Sequence, residues 1–259
     1  RAGPLRGVDD LGFTHPTPIQ AEAIPPAPEG RDLLACAATG SGKTAAFVLP
    51  ILHKLMDRPR GTTGALVLAP TRELALQIVD DVKDLARHTK LKAEPVYGGV
   101  GMGPQERAFR QGADIIVATP GRLLDHFQYP YAKLAGLEYL VLDEADRMLD
   151  MGFLPDIRRV LKHIPTVKQT FFFSATMPPQ IEKLTREILK NPVKIALQRK
   201  AAPAKGIAQT LSPVPASLKG SLLVELLKRG DMDDALVFTR TKHRADRVTK
   251  LLSRNGITA

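Results

Sequence analysis

The apolar positions of this chain gather in short continuous runs, not in an alternating pattern. Residues 33–36, 65–69, 93–97, 114–118, 139–142, 170–173 and 193–197 each hold four or five mostly apolar residues bounded by polar or turn-forming ones. Runs of this length and continuity read as strands buried on both faces, the habit of a parallel sheet. Helical spacing follows several of them, over about 44–56 and 72–88, after Arg122, after Asp146 and from about Gln180. A short helix end over 5–11 and a helix over 20–24, stopped by Pro25-Pro26, precede the first strand. Alternation of strand and helix predicts an α/β fold: a doubly wound, mostly parallel sheet with helices on both faces.

Each cluster of unusual polar residues stands immediately after one of these strands. In open parallel sheets ligands bind beyond the carboxyl ends of the strands, so clusters far apart in sequence are expected to meet along one edge. The texture then changes. Residues 199–215 are rich in Lys, Ala, Pro, Ser and Gly without periodicity and read as a linker. Residues 216–259 open a second region patterned like the first, with a helix over 217–228, a strand over 235–238 and a basic helix to about Ser253. The expected organisation is a first domain over 1–198, the linker, and the start of a second domain, with too few residues in 216–259 to close a core.

The richest cluster follows the first strand: Ala37-Ala38-Thr39-Gly40-Ser41-Gly42-Lys43-Thr44. Small residues let the backbone curl its amide N–H groups into one concavity at a helix N-terminus, where the dipole also favours an anion. Lys43 can then reach the β- and γ-phosphates of a nucleotide, and the Thr44 hydroxyl can bind Mg²⁺. Ala37 stands where the general phosphate-loop pattern has Gly. Taken alone the motif could be a surface turn, but a strand before it and a helix after it favour phosphate binding. Asp143-Glu144 also follows a buried strand, which places Asp143 to hold Mg²⁺ opposite Thr44 and Glu144 to orient or deprotonate a water. Adjacent acids at a helix start would otherwise only complement the dipole.

Composition narrows the setting. The chain has 259 residues, 44% of them hydrophobic, which is enough for a core, and no run of 18 apolar residues. One cysteine, Cys36, excludes an internal disulfide and suits a reducing compartment, so a cytoplasmic protein without a membrane partner is expected. Net charge is +10, yet residues 199–259 carry 12 Lys/Arg against 5 Asp/Glu and supply most of it. A polyanion held by the first region must therefore be gripped by a few placed groups and backbone amides, not by bulk charge. The six histidines show no metal-ligand spacing. Phe171-Phe172-Phe173 reads as core, not as a base-stacking platform.

The order of these clusters resembles the DEAD-box ATP-dependent RNA helicases, in particular their bacterial RhlE-like branch. The stretch from Phe13 to Gln20 is similar to the Q motif, residues 37–44 to motif I, and Pro70-Thr71-Arg72-Glu73-Leu74-Ala75 to motif Ia. Gly98-Gly99 matches the glycine pair, Thr119-Pro120-Gly121-Arg122 motif Ib, Asp143-Glu144-Ala145-Asp146 motif II, Ser174-Ala175-Thr176 motif III, and residues 237–241 motif IV. The resemblance implies a RecA-like P-loop domain that binds ATP and Mg²⁺ through Phe13, Gln20, Ala38, Thr39, Gly40, Ser41, Gly42, Lys43, Thr44 and Asp143, with Lys43, Asp143 and Glu144 catalytic. Gln20 would read adenine, because an amide donates and accepts at once. Thr71, Arg72, Gly99, Thr119, Gly121 and Arg122 would hold the sugar-phosphate backbone of single-stranded RNA without sequence preference. Helix caps are the competing reading for Thr71 and Thr119, and a tight turn for Gly121. Asp146, Ser174 and Thr176 would couple nucleotide state to RNA grip.

The family's motifs V and VI would follow Ala259, and motif VI supplies arginines that stabilise the transferring phosphoryl group. Residues 1–259 alone are therefore expected to bind nucleotide but to hydrolyse ATP poorly. Two rival readings remain: a P-loop ATPase acting on DNA or on no nucleic acid, and an RNA-binding clamp that does not depend on turnover. Physiological RNA, ribosome-assembly or mRNA-decay partners and oligomeric state are not written in the sequence.

Overall fold

The computed structural model describes residues 2–166, 168–196, 208, 210–229, 232 and 234–259. It divides into two compact units, Arg1–Ala201 and Ala202–Ala259. The first is built on a seven-stranded sheet: β1 (Leu33–Cys36), β2 (Ala65–Leu68), β3 (Ala93–Val96), β4 (Ile115–Ala118), β5 (Tyr139–Leu142), β6 (Gln169–Ser174) and β7 (Val193–Ala196). The strands lie in the order β3-β4-β2-β5-β6-β1-β7, and each pairing is parallel. The sheet is thus wholly, not mostly, parallel. Its helices are α1 (Ala2–Asp10), α2 (Pro18–Ala23), α3 (Lys43–Leu55), α4 (Arg72–Ala86), α5 (Gly103–Arg110), α6 (Pro120–Phe127), α7 (Ala145–Asp150), α8 (Leu154–Leu161) and α9 (Pro179–Ile188).

Side chains of one strand alternate between the two faces, so each continuous apolar run feeds two cores. Phe171 and Phe173 join Leu33, Ala35, Val67 and Val141 against α2, α3 and α4. Phe172 points to the opposite core with Leu66, Leu68, Ile116, Leu140 and Leu142, under α5 to α9. All three phenylalanines are buried, and Phe47 of α3 packs on Phe173 with ring centroids 5.4 Å apart. None of the three is exposed for stacking on a base.

Helices α5 and α8 are not marked by the strand-following pattern. Helix α5 has only eight residues, with its buried side chains reduced to Gln105, Ala108 and Phe109, too few for a 3.6-residue period to stand out.

At the opposite edge from the candidate chemistry, Asp32 fastens three elements. Its carboxylate accepts the Thr170 amide at 2.7 Å and the Lys190 amide at 2.7 Å, and its carbonyl accepts the Val193 amide at 2.8 Å. The side chain therefore takes over ladder positions that β1 itself is too short to fill.

The second unit contains a 3₁₀ turn (Ala216–Leu218), α10 (Lys219–Lys228) and α11 (Lys242–Arg254). The expected strand over 235–238 does not form: these residues are irregular, with Leu236 83% and Phe238 87% exposed. A strand is held by its neighbours' backbone groups, and among the described residues of this unit no other strand is present to pair with it. Much of the expected linker lies outside the described residues.

Replacing Asp32 with Ala leaves the buried Thr170 amide without an acceptor. We expect a loss of about 2–3 kcal/mol, measured as a lower urea midpoint at unchanged m-value.

Candidate functional site

The loops that leave the carboxyl ends of β1 and β5, with one face of α4, surround a cavity of about 400 Å³. Its lining includes Gln20, Thr39, Gly40, Gly42, Lys43 and Thr44, the acids Asp143 and Glu144, and the apolar Leu11 and Phe13. Phe13 is 49% exposed, a flat apolar surface open for contact. Gly40 and Gly42 have φ of +73° and +89°, a turn that an L side chain resists. A Cβ on Gly42 would also stand 2.7 Å from Gln20 Nε2 and 2.9 Å from Thr17 Oγ1. The loop is thereby bent over the start of α3, whose first-turn amides have no partner within the helix.

Lys43 is only 6% exposed, and its Nζ donates to the Ala37 carbonyl at 3.3 Å while lying 3.9 Å from Asp143 Oδ1. The ammonium is thus held at the mouth of the loop by a carbonyl and a carboxylate that a phosphate can replace. Asp143 is 3% exposed. Burial pushes its carboxyl up to about 6; Lys43 opposes that rise and the neighbouring Glu144 adds to it. A carboxylate buried at this cost is well suited to a cation, which restores the ionised form.

Glu144 has φ 49° and ψ 50°, the left-handed region, in which a residue with a long side chain is rare. It occupies the N-cap of α7 without capping it, and its carboxylate meets Arg147 at 3.1 Å. Backbone strain of this kind persists where the surrounding fold imposes it, and active sites are the usual place.

Gln20 ties the N-terminal segment to the phosphate loop. Its Nε2 donates to the Gly42 carbonyl at 3.1 Å and its Oε1 accepts the Thr17 amide at 2.9 Å. One N–H and one lone pair of the amide remain for a ligand edge. Thr17 Oγ1, close to Gly42, is buried without a hydrogen-bond partner among the described residues. The glycine turn, the open start of α3 and the buried Lys43 ammonium are the features that fit a phosphate chain. Among the described residues no group of three or more His, Cys, Asp or Glu forms a metal cage. Mg²⁺ that arrives on phosphates needs only one or two protein ligands, and Thr44 with Asp143 could supply that number.

One contributor to the cavity goes beyond the motifs. Leu74, Gln77, Asp81 and Asp84 of α4 line it, spaced three or four residues apart on one helix face. Burial pushes the Asp81 carboxyl up, the neighbouring Thr44 hydroxyl opposes that rise, and the Asp84 and Asp80 carboxylates add to it. Acids in the third turn of an otherwise amphipathic helix gave no sign of facing a ligand, because the register of α4 against α3 is a tertiary matter.

A second set of loops leaves the same edge. Thr71 caps α4, accepting the Leu74 amide at 3.3 Å, whereas Thr119 makes no side-chain cap to α6. The Thr119 hydroxyl is therefore not accounted for by helix capping. Gly99 has φ +82°, and a Cβ there would meet nothing within 4 Å, so the glycine is needed for the turn, not for space. A Cβ on Gly121 would likewise meet nothing. Arg72 is exposed and lies over the Tyr97 ring at 5.0 Å. Arg122 is engaged by the protein: its side chain is 13% exposed, donates to the Val100 carbonyl at 2.8 Å and lies 3.5 Å from Asp125.

Between the two sets stands the Asp146 knot. Asp146 Oδ2 accepts from both the amide and the hydroxyl of Thr176, each at 2.8 Å. Ser174 Oγ accepts the Asp146 amide at 3.2 Å and donates to the Thr176 carbonyl at 2.7 Å. Burial raises the Asp146 carboxyl, but the bonds from Thr176 and the nearby polar groups of Ala175 and Ser174 outweigh it and hold the group below the ordinary carboxylate range. The start of α7 and the end of β6 are thus locked through one side chain.

Residues 17–184 match the family model of the DEAD/DEAH box helicases. The chain belongs to that family. It is 45% identical over 253 residues to the ATP-dependent RNA helicase DeaD of Escherichia coli, covering 97% of this chain and 40% of that protein. Similar likeness extends to the ATP-dependent rRNA helicase RRP3 of Eremothecium gossypii, 45% over 249 residues, covering 95% of this chain and 51% of that protein. The DEAD-box ATP-dependent RNA helicase 20 of Arabidopsis thaliana is 43% identical over 260 residues, 97% of this chain and 52% of that protein. The chain thus spans about half the length of these relatives or less. They come from bacteria, fungi and plants and do not single out the RhlE-like branch. No helix among the described residues is long and apolar enough to cross a membrane.

The strain at Glu144 is testable without any ligand. Asn tolerates the left-handed region, so Glu144→Asn should raise the stability of the nucleotide-free protein by about 0.5–1 kcal/mol, read as a higher thermal midpoint, while suppressing ATP turnover.

Proposed function

We propose that the protein carrying this chain is an RNA-stimulated ATPase that separates short RNA duplexes locally. The observation that supports this best is the cavity in which Lys43, Thr44, Asp143 and Glu144 converge, in a chain of the DEAD/DEAH box helicase family. Residues 1–198 form the ATP-binding RecA-like domain, 199–215 the linker, and 216–259 the opening part of a second RecA-like domain. The names of the relatives speak of RNA and rRNA, which favours RNA over DNA as the partner.

In this reading the amides of residues 38–44 cradle the phosphates and Lys43 exchanges its contacts with Ala37 and Asp143 for phosphate oxygens. Thr44 and Asp143 would hold Mg²⁺, which when bound neutralises charge on the phosphates. Glu144, on the wall of the same cavity, orients and deprotonates the attacking water. Gln20 and Phe13 take the base, the amide through its free N–H and lone pair. Thr71, Arg72, Gly99, Thr119, Gly121 and Arg122 grip the sugar-phosphate backbone, a contact that carries little sequence information. Asp146, tied to Ser174 and Thr176, transmits a shift of the Asp143-Glu144 segment to the end of β6.

ATP turnover by the full-length protein, with and without single-stranded RNA at matched salt, tests the proposal. Strong stimulation by RNA and little by DNA is expected. Equal turnover with and without RNA would leave an ATPase with a different partner. Glu144→Gln should lower kcat by at least about 100-fold while nucleotide affinity is retained; a variant that still unwinds at the wild-type rate would favour a clamp that does not depend on turnover.

A further inference from the structure

The loop from Tyr97 to Gly101, which carries the glycine pair, is held from beneath by a buried chain of polar side chains. Gln105, the third residue of α5 and buried, donates from Nε2 to the Tyr97 carbonyl at 3.1 Å and reaches the Gly101 carbonyl at 3.5 Å. Its Oε1 faces His126 Nε2 at 3.1 Å, and His126 Nδ1 meets the Tyr131 hydroxyl at 2.9 Å. His126, near the end of α6, is 0% exposed and packed between Phe109 and Tyr131, with ring centroids 5.2 and 5.8 Å away.

The direction of every bond in this chain is fixed at one end. Backbone carbonyls only accept, so the Gln105 NH₂ must face Tyr97 and Gly101 and its oxygen must face His126. An oxygen there requires a proton on His126 Nε2. A neutral ring then presents a lone pair at Nδ1, to which the Tyr131 hydroxyl donates. The ring stays neutral in this pocket: burial depresses its basicity, and Arg122 depresses it further against the opposing Asp125 and Glu106.

We propose that Gln105, His126 and Tyr131 are positioning residues that set the Gly98-Gly99 turn for contact with the RNA backbone. They clamp the loop at Tyr97 and Gly101, on either side of the glycines. Arg122 adds a third clamp at Val100, and the Arg72 guanidinium over the Tyr97 ring a fourth. The role rests on the reading of this loop as an RNA contact. Its physical content is preorganisation: a turn of two glycines is costly to order, and a buried, directional scaffold meets that cost before RNA arrives.

The test uses the full-length protein, a fluorescent single-stranded oligouridylate as RNA probe and a fluorescent ATP analogue as nucleotide probe. Gln105→Leu, similar in volume but without donor or acceptor, should weaken RNA binding about tenfold, the equivalent of one lost hydrogen bond, and leave nucleotide affinity unchanged. His126→Gln, which keeps an N–H donor and an acceptor, should retain affinity that His126→Leu loses. Equal losses in the two His126 variants, or a parallel fall in nucleotide affinity in Gln105→Leu, would overturn the positioning role in favour of a merely structural one. Arg72→Ala separates the two levels. If it weakens RNA binding and Gln105→Leu does not, the positioning role falls and the RNA reading stands; if neither does, both fall.

Discussion

Parallel pairing is the constraint on which everything else in this molecule rests. A parallel strand cannot return to its neighbour by a tight turn, so each connection crosses a face of the sheet, here by one or more helices. Every strand then points the same way, and every loop that leaves a strand's carboxyl end emerges on one edge. The phosphate loop after β1, the Thr71 cap after β2, the glycine turn after β3, Thr119 after β4, Asp143-Glu144 after β5 and Ser174-Thr176 after β6 are neighbours for that reason. The strand order places β1 next to β6 and β6 next to β5. The phosphate loop, the buried acids and the Ser/Thr pair therefore occupy three adjacent strand ends.

The edge is stabilised as little as its chemistry allows. Asp143 is buried against its preference, Glu144 stands in a left-handed conformation and Thr17 keeps an unpartnered hydroxyl. Of these costs, the burial of Asp143 is the one a cation would offset. At the opposite edge the buried carboxylate is Asp32, which is satisfied by backbone amides that it binds at 2.7 Å. Stability resides in the two apolar layers and at the amino-terminal edge, and reactivity is concentrated where the strands end.

Two polar devices brace the loops along this edge. Asp146 joins α7 to the end of β6 through Ser174 and Thr176, and the Gln105–His126–Tyr131 chain joins α5 and α6 to the glycine turn. Both are built of groups with few alternative partners. A network of that kind has a small number of arrangements, so it fixes the loops it holds.

Much of this was legible in the chain. Continuous apolar runs such as Leu66-Val67-Leu68 and Phe171-Phe172-Phe173 can be satisfied only by a sheet covered on both faces, and Gly40, Gly42, Lys43 and Thr44 carry phosphate chemistry in their residue types and spacing. Tertiary structure decided what depends on residues distant in sequence. Residues 235–238 have a strand's composition and remain irregular, because a strand exists only with a partner. The sequence shows Arg122 as a cation after a strand, but not that its side chain also donates to the Val100 carbonyl and approaches Asp125. Asp81 and Gln105 carry no motif; one lines the cavity and the other meets the glycine turn only because α4 and α5 pack in a particular register. Local chemistry is written in residue type and spacing, whereas side-chain partnership across the fold is set by packing, which no local pattern encodes.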